Sequence, residues 1–198
     1  MIAIDTQPHT PLTPNPNRIV AALFRAMTVA HGRGQEVTQY DLLKTLFLAD
    51  RSHLNEWGRP VTFDNYCAME HGPVPSLAYD LLKGNAKSMR DNAIITLPWT
   101  SEHIVPNKGT KRFFPIDGKI DVEDFLSESD IAAVDDSLTT VKRLGFGQIR
   151  RLTHEDPAYL DAWRPDGPTA SYDMKLGLLF ENPNFEQAML VAEHSANV

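Results

Sequence analysis

Cysteine and long apolar runs are scarce in this sequence. Its one cysteine is Cys67, which excludes an intrachain disulfide and a zinc ribbon built from cysteines. No apolar run approaches the roughly 20 residues needed to cross a bilayer. The N-terminus lacks the basic start and apolar stretch that are typical of a signal peptide. We therefore expect a protein of the reducing cytoplasm that does not enter the membrane.

Positive charge is also in deficit. The 198 residues include 19 Lys and Arg but 26 Asp and Glu, for a formal net charge of −7. The basic residues occur in short pairs, whereas neutralising a phosphate backbone needs them clustered. Acidic residues instead concentrate between Asp117 and Asp136, as on a solvated helix face or on a docking surface for a basic partner. This balance argues against nucleic acid as a ligand.

Enzyme-like groupings in the chain are weak. The two Gly-x-Gly segments, at 32–34 and 145–147, lack the residues that complete a phosphate-binding loop. Two chemically competent sets can still be drawn. The first is a thiol–imidazole set of Cys67, His71 and His154, to which Asp50 could add an orienting carboxylate. The second is a mixed metal-binding set of Asp50, His53, His71 and His154. Cys67 lies in a predicted extended segment with nothing to lower the pKa of its thiol, so a buried structural cysteine is the favoured interpretation.

The patterning predicts a compact, mostly helical α+β domain. Residues 1–16 hold several prolines and little apolar surface, so we predict a flexible Pro-rich tail there and a single domain over 17–198. Short β-like runs predict a small antiparallel sheet, at 94–97, 103–105 and 112–116. Apolar residues at helical spacing with flanking caps predict helices at 18–31, 38–54, 75–84, 128–144, 147–153 and 184–192.

Two helix starts and one helix stop are especially clear. Thr38 with Asp41, and Ser127 with Asp130, have the spacing of a capping box, with Asp in place of the usual Glu. Gly145 is placed to end the helix that begins after Ser127. These signals predict the boundaries of the second helix and of the long acidic helix.

Asp50 and the segment 72–75 stand out between those helices. Asp50 falls on the buried stripe of the second helix, where an unpaired carboxylate is costly. We therefore predict that it pairs with a residue distant in sequence, either His154 or an arginine. In Gly72-Pro73-Val74-Pro75 the prolines fix φ, while Gly72 can take backbone angles that other residues avoid. The segment is thus predicted to form a stiff elbow that leads into a helix.

Two stretches, 42–82 and 150–163, together resemble the Panacea, or SocA-like, antitoxin domain. In that family a helix with an L-K-x-L-[YF]-x-A-D pattern precedes a G-x-P turn, a Y-x-A segment, a G-P-V-P elbow and a later His-Glu/Asp segment with a Trp. The resemblance covers about residues 18–165, with Phe47 where tyrosine is more usual. The matching residues are Leu43, Lys44, Leu46, Phe47, Ala49, Asp50, Gly58, Pro60, Tyr66, Ala68, Gly72, Pro73, Val74, Pro75, His154, Glu155 and Trp163.

The resemblance implies a non-enzymatic antitoxin of bacterial or phage origin, without cofactor or metal. Such proteins neutralise a cognate protein toxin by direct binding, and one branch of the family resembles an adaptor that presents its toxin to a Clp-type protease. The resemblance also implies structural roles for the motif positions, which are Lys44, Asp50, Gly58, Pro60, Tyr66, Gly72, Pro73, Pro75, His154 and Trp163.

Candidates for the toxin interface follow from residue type and charge. Trp, Tyr and Arg dominate binding hot spots, and the acidic segment offers complementarity to a basic partner. The candidates are Trp57, Arg59, Tyr79, Asp121, Asp124, Asp135 and Asp136.

Two other functions remain open from the sequence. Helix pairs beside a small sheet can form a winged-helix, DNA-binding transcriptional regulator, although the acidic balance argues against it. The Cys67 set or the mixed metal set would instead make a cysteine- or metal-dependent hydrolase.

Overall fold

The computed structural model describes residues 9–105 and 108–197. In these residues the chain forms seven α-helices and five short strands, which confirms the prediction of a mostly helical α+β fold. None of the described helices is both long enough and apolar enough to span a membrane. The helices are α1 (Pro16–Gly32), α2 (Gln39–Trp57), α3 (Ser76–Lys83), α4 (Ala86–Asp91), α5 (Glu128–His154), α6 (Pro157–Ala162) and α7 (Phe185–Ser195).

The predicted capping box forms the start of α2. Thr38 accepts a hydrogen bond from the backbone N–H of Asp41, and the Asp41 carboxylate accepts one from the backbone of Thr38, which completes the capping box. The helix ends at Gly58, whose φ of 76° is left-handed. It thus extends three residues beyond the predicted end at residue 54, and Trp57 lies in its last helical turn.

Helix α5 is two helices joined at a kink. Its start has the predicted capping box of Ser127 and Asp130. Gly145 has φ 69° and ψ 176°, which are not helical angles, and the left-handed φ is one that glycine adopts at little cost. The predicted stop at Gly145 is therefore confirmed, and the chain resumes a helix immediately after it.

The strands form two small antiparallel sheets. In the first, β1 (Tyr66–Met69) lies between β2 (Gly72–Pro75) and the short β5 (Tyr172–Asp173). Strand β2 is at the edge of its sheet, where the missing N–H groups of its two prolines are tolerated. The second sheet is a hairpin of β3 (Trp99–Val105) and β4 (Lys108–Pro115).

The strand prediction was right for two of three runs. The runs at 103–105 and 112–116 fall largely in the hairpin, whereas residues 94–97 belong to no strand. That run follows Ala93, whose left-handed φ of 55° turns the chain as it leaves α4. The first sheet was not predicted as a sheet, because its strands are only two to four residues long.

The core has two clusters that meet along α2. One packs α1, α3 and the first half of α5 against residues such as Leu46, while the other packs α6, α7 and the C-terminal segment around Phe47, Leu54 and Phe63. Adjacent residues of α2 therefore face different clusters. The segment after Trp163, which the resemblance does not cover, contributes much of the second cluster.

Residues 9–15 differ from the predicted flexible tail; residues 1–8 of that tail lie outside the described residues. Leu12 is buried, and its backbone N–H donates to the Asn65 side chain at 2.8 Å. The N–H of Thr13 donates to the Ser195 hydroxyl at 2.9 Å. Asn15 then caps α1, which begins at Pro16. Distant side chains supply the partners that hold this segment, and local composition does not reveal them.

Candidate functional site

Asp50 is the hub of a buried polar network. It is 2% exposed and accepts hydrogen bonds at 2.8 Å from the backbone N–H of Thr62 and from the Tyr66 hydroxyl. The Thr62 hydroxyl donates a further short bond. Burial raises the pKa of Asp50 to about 6, although these bonds favour its charged form. The prediction that Asp50 pairs with His154 or an arginine was wrong, because Thr62 in the loop after α2 and Tyr66 of β1 are its partners.

A second buried carboxylate, Asp64, was missed by the sequence analysis. Its oxygens accept from the backbone N–H groups of Leu77 and Ala78 at 3.0 and 2.8 Å. These are orphan donors in the first turn of α3, and the N-cap residue Pro75 has no side chain able to accept from them. Burial raises the pKa of Asp64 to about 7. The available signal was the helix predicted to start at Pro75, because a proline side chain cannot accept a hydrogen bond from the N–H groups of the first turn.

Lys44 braces the elbow against α2. Its buried ammonium donates to the carbonyl of Pro73 at 2.6 Å and lies 5.3 Å from the centre of the Tyr40 ring. Burial lowers the pKa of Lys44 to about 7. A Cβ added at Gly72, where φ is 101°, would lie 2.8 Å from both the Lys44 Nζ and the Thr153 Oγ1. Glycine is required here by backbone angle and by space together.

Arg59 belongs to an internal cluster around Asp130. The two Arg59 nitrogens lie 2.8 and 3.0 Å from the two Asp130 oxygens, and Arg18 donates to Asp130 at 2.7 Å. Burial alone would raise the pKa of Asp130, but hydrogen bonds from Arg59 and Ser127 outweigh it and lower the pKa. The Nε2 of His53 lies 3.3 Å from the same carboxylate. Arg59 therefore ties the loop after α2 to α5, so it is not a free anchor for a partner.

The thiol and imidazole groups do not form the catalytic set that the sequence allowed. The Cys67 thiol donates to the carbonyl of Val74 at 3.6 Å, and burial raises its pKa, which is the opposite of an activated thiol. The His71 ring contacts the Phe146 ring at 5.9 Å, and the His154 ring packs on Tyr159 at 4.4 Å. The Nε2 of His154 is buried and has no hydrogen-bond partner among the described residues.

The proposed metal set is also dispersed. Within the part of the chain that the structure describes, no three His, Cys, Asp or Glu side chains are grouped as metal ligands. Asp50 is held by Thr62 and Tyr66, whereas His53 bonds to the Arg59 carbonyl at 2.8 Å.

Two further motif residues, Pro60 and Trp163, also pack within the fold. Pro60 is buried in the loop that follows Gly58. Trp163 is half-buried, stacks on Tyr159 with ring centres 6.1 Å apart and meets the edge of Tyr172. These contacts join α6 to β5.

A groove of about 680 Å³ lies between α2 and α5 and is called here the α2–α5 groove. Residues at three- and four-residue spacing line it from both helices, so each helix presents one stripe. The α5 stripe consists mostly of small side chains, which leave the space between the helices open. The lining residues are Leu48, Arg51, Ser52, Asn55, Glu56, Trp57, Ser129, Ala132, Ala133, Asp136, Ser137, Thr140, Leu152 and Glu181.

The lining of this groove contains both apolar and acidic side chains. Trp57 is 59% exposed, and its ring stacks over His53 with ring centres 6.0 Å apart. Leu152, 46% exposed, adds a second apolar contact point. The charged residues on the rim are exposed carboxylates, while Arg51 is already paired with Asp156 at 2.6 Å. The rim carboxylates are Glu56, Asp136 and Glu181.

The structure brings together two of the predicted interface residues, Trp57 and Asp136, in the groove. Asp135 points elsewhere and forms an ion pair with Arg25 at 2.6 Å. Tyr79 lies on α3 under the Lys83 ammonium, and Asp121 caps the short 3-10 helix Val122–Asp124, which also contains the predicted Asp124. None of these other four residues lines the described groove.

The fold and site thus define a small helical protein whose motif residues brace its interior and whose helices α2 and α5 enclose an open groove with an acidic rim. The chain belongs to the family described as antitoxin SocA-like, Panacea domain, whose family model matches residues 42–159. That match confirms the resemblance over α2, the elbow, the hairpin and α5, and it ends within α6. Comparison with curated proteins and with solved structures found no match.

Proposed function

We propose that this protein is the antitoxin of a toxin–antitoxin pair and that it neutralises a cognate protein toxin by binding it directly. Membership of the SocA-like family supports a toxin as the partner. The observation that carries the proposal is Trp57, a large aromatic side chain left 59% exposed beside an open groove. Exposed aromatic residues at the edge of a groove are typical anchors of protein interfaces.

The internal use of the polar motif residues supports a binding role rather than catalysis. The motif residues Lys44 and Asp50, like the buried Asp64 beside them in the fold, bond to backbone or hydroxyl groups of the protein itself. A catalytic acid or base must instead reach a substrate from a cleft. These side chains are buried away from the α2–α5 groove, so they stabilise the scaffold that presents it.

The test is co-expression with the product of the adjacent gene in a bacterial host. We expect that product to stop growth when it is expressed alone, and we expect this protein to restore growth and to co-purify with it. A neighbouring product that is harmless alone contradicts the proposal. Restored growth without any complex between the two proteins contradicts it as well.

A further inference from the structure

We propose that the α2–α5 groove takes a basic, amphipathic helix of the toxin. This inference rests on the proposed function and specifies the chemistry of the segment that is bound. Three independent features of the groove support it, which are its shape, its charge and its apolar contact points.

The shape of the groove suits a helix. From Leu48 to Trp57 the lining runs about 13 Å along α2 at 1.5 Å per residue. A second cavity of about 340 Å³ shares Leu48, Arg51 and Leu152 with the groove and continues it toward Glu155. The small residues of α5 leave room for a third helix to lie over the pair. Docking of an amphipathic helix into such a groove is a recurring mode of recognition.

The charge of the groove calls for a basic occupant. Glu56, Asp136 and Glu181 are exposed along the rim, and Glu155 is exposed at the continuation. Among the described residues that line either cavity, Arg51 is the one cation, and it already forms an ion pair with Asp156. Complementary charge favours a segment rich in Lys and Arg. A second copy of this chain, with a net charge of −7, is disfavoured by the same argument.

The apolar residues set the pattern of the occupant. Trp57, Leu48 and Leu152 lie on both walls of the groove, so an apolar stripe along one side of the bound helix can contact all three. Lys or Arg flanking that stripe would meet the carboxylates of the rim. The expected pattern has apolar residues three and four apart, with basic residues between them.

The first probe is a fluorescent peptide of about 18 residues, with leucines at helical spacing and lysines elsewhere. Its control is a scrambled peptide of the same composition. We expect the patterned peptide to bind more tightly, as measured by anisotropy, and the Trp57→Ala variant to lose at least about tenfold in affinity. Leu190→Ala, which removes a similarly exposed apolar side chain from α7, should stay within about twofold of wild type. Equal binding of the two peptides overturns the inference.

Charge and space in the groove are tested by two further pairs of variants. Asp136→Lys and Ala132→Arg alter exposed groove positions, whereas Asp124→Lys and Ala86→Arg make the same changes at exposed positions outside it. We expect at least about tenfold weaker binding for the groove variants and changes within about twofold for their controls. Circular dichroism verifies that all four variants are folded.

The same variants are then measured against the adjacent gene's product. Tight binding by wild type together with unchanged binding by the groove variants overturns the inference and leaves the proposed function intact. No binding by wild type overturns the proposed function, and the inference falls with it. Self-association of the wild type that Trp57→Ala abolishes would assign the groove to a second copy, and this result also contradicts the inference.

Discussion

The buried carboxylate of Asp50 accepts three hydrogen bonds in the interior. Thr62 donates to it through backbone and side chain, and Tyr66 donates through its hydroxyl. We expect Asp50→Ala to lower the free energy of unfolding by on the order of 3 kcal/mol, because each buried donor left without a partner costs about 1–3 kcal/mol. Urea denaturation measures the change. Tyr66→Phe, which removes one bond, should cost about 1 kcal/mol, and equal losses in the two variants would contradict this account.

Lys44 makes stability depend on pH in a direction that can be predicted. Its pKa is lowered to about 7 by burial, so above pH 7 the folded protein binds fewer protons at this site than the unfolded chain. The free energy of unfolding therefore rises with pH through this group. The window of pH 7 to 9 lies below the raised pKa of Cys67 and those of the buried tyrosines.

The measurement is urea denaturation of wild type and Lys44→Met at several pH values in that window. We expect the wild type to gain on the order of 2 kcal/mol relative to the variant between pH 7 and 9, at about 1.4 kcal/mol per pH unit once the site has titrated. Parallel pH profiles for the two proteins would show that Lys44 is not the group responsible.

For single residues, the sequence indicates which side chains are buried but not which groups they form hydrogen bonds with. The stripe of α2 predicted that Asp50 is buried, and the structure confirms it. The residues that donate to Asp50 lie 12 and 16 positions further along the chain, in a loop and a strand. Helical spacing cannot predict contacts at that separation. Asp64 was missed for the same reason, because it accepts from the start of a helix 13 residues away.

The elements were predicted best where local chemistry determines them. The capping boxes at Thr38 and Ser127 and the break at Gly145 are confirmed because each depends on residues within one or two turns. The short helices α4 and α6 were missed, since six residues show too little periodicity to recognise. Strand β5, of two residues, exists only through its pairing with β1.

Asp130 holds three parts of the chain together, and its removal tests that role. It binds Arg18 of α1, Arg59 of the loop after α2 and the cap of α5. We expect Asp130→Ala to cost about 3–5 kcal/mol of unfolding free energy, because it leaves partly buried guanidinium groups unpaired. Asp135→Ala is the control. Its pair with Arg25 is half-exposed and should contribute no more than about 1 kcal/mol.

Thermal or urea denaturation distinguishes the two variants directly. Comparable small losses for both would mean that the Asp130 cluster is not a structural tie. Arg59→Ala should lower the free energy of unfolding as Asp130→Ala does, and not by the small amount expected of a surface substitution. The reason is that both terminal nitrogens of the Arg59 guanidinium donate to Asp130.

In the whole molecule, the acidic residues between Asp117 and Asp136 do not form one continuous surface. Asp135 pairs internally, Asp121 caps a helix and Asp136 faces the groove. We expect Asp136→Asn to slow association with the toxin severalfold at about 0.05 M salt and to have little effect at about 0.5 M, because salt screens exposed charges. Asp121→Asn should leave the rate unchanged. Stopped-flow association kinetics provide the measurement, and equal slowing by both changes would favour a diffuse acidic field over a local contact.

Under the function proposed above, this protein neutralises its toxin by occupying it rather than by chemical turnover. The direct measurement is a titration of the purified protein into a fixed amount of active toxin, with residual toxin activity recorded at several times. We predict that activity falls linearly and vanishes at a fixed molar ratio that does not change with time. Loss of activity at far lower ratios, progressing with incubation, would show catalysis and contradict the account.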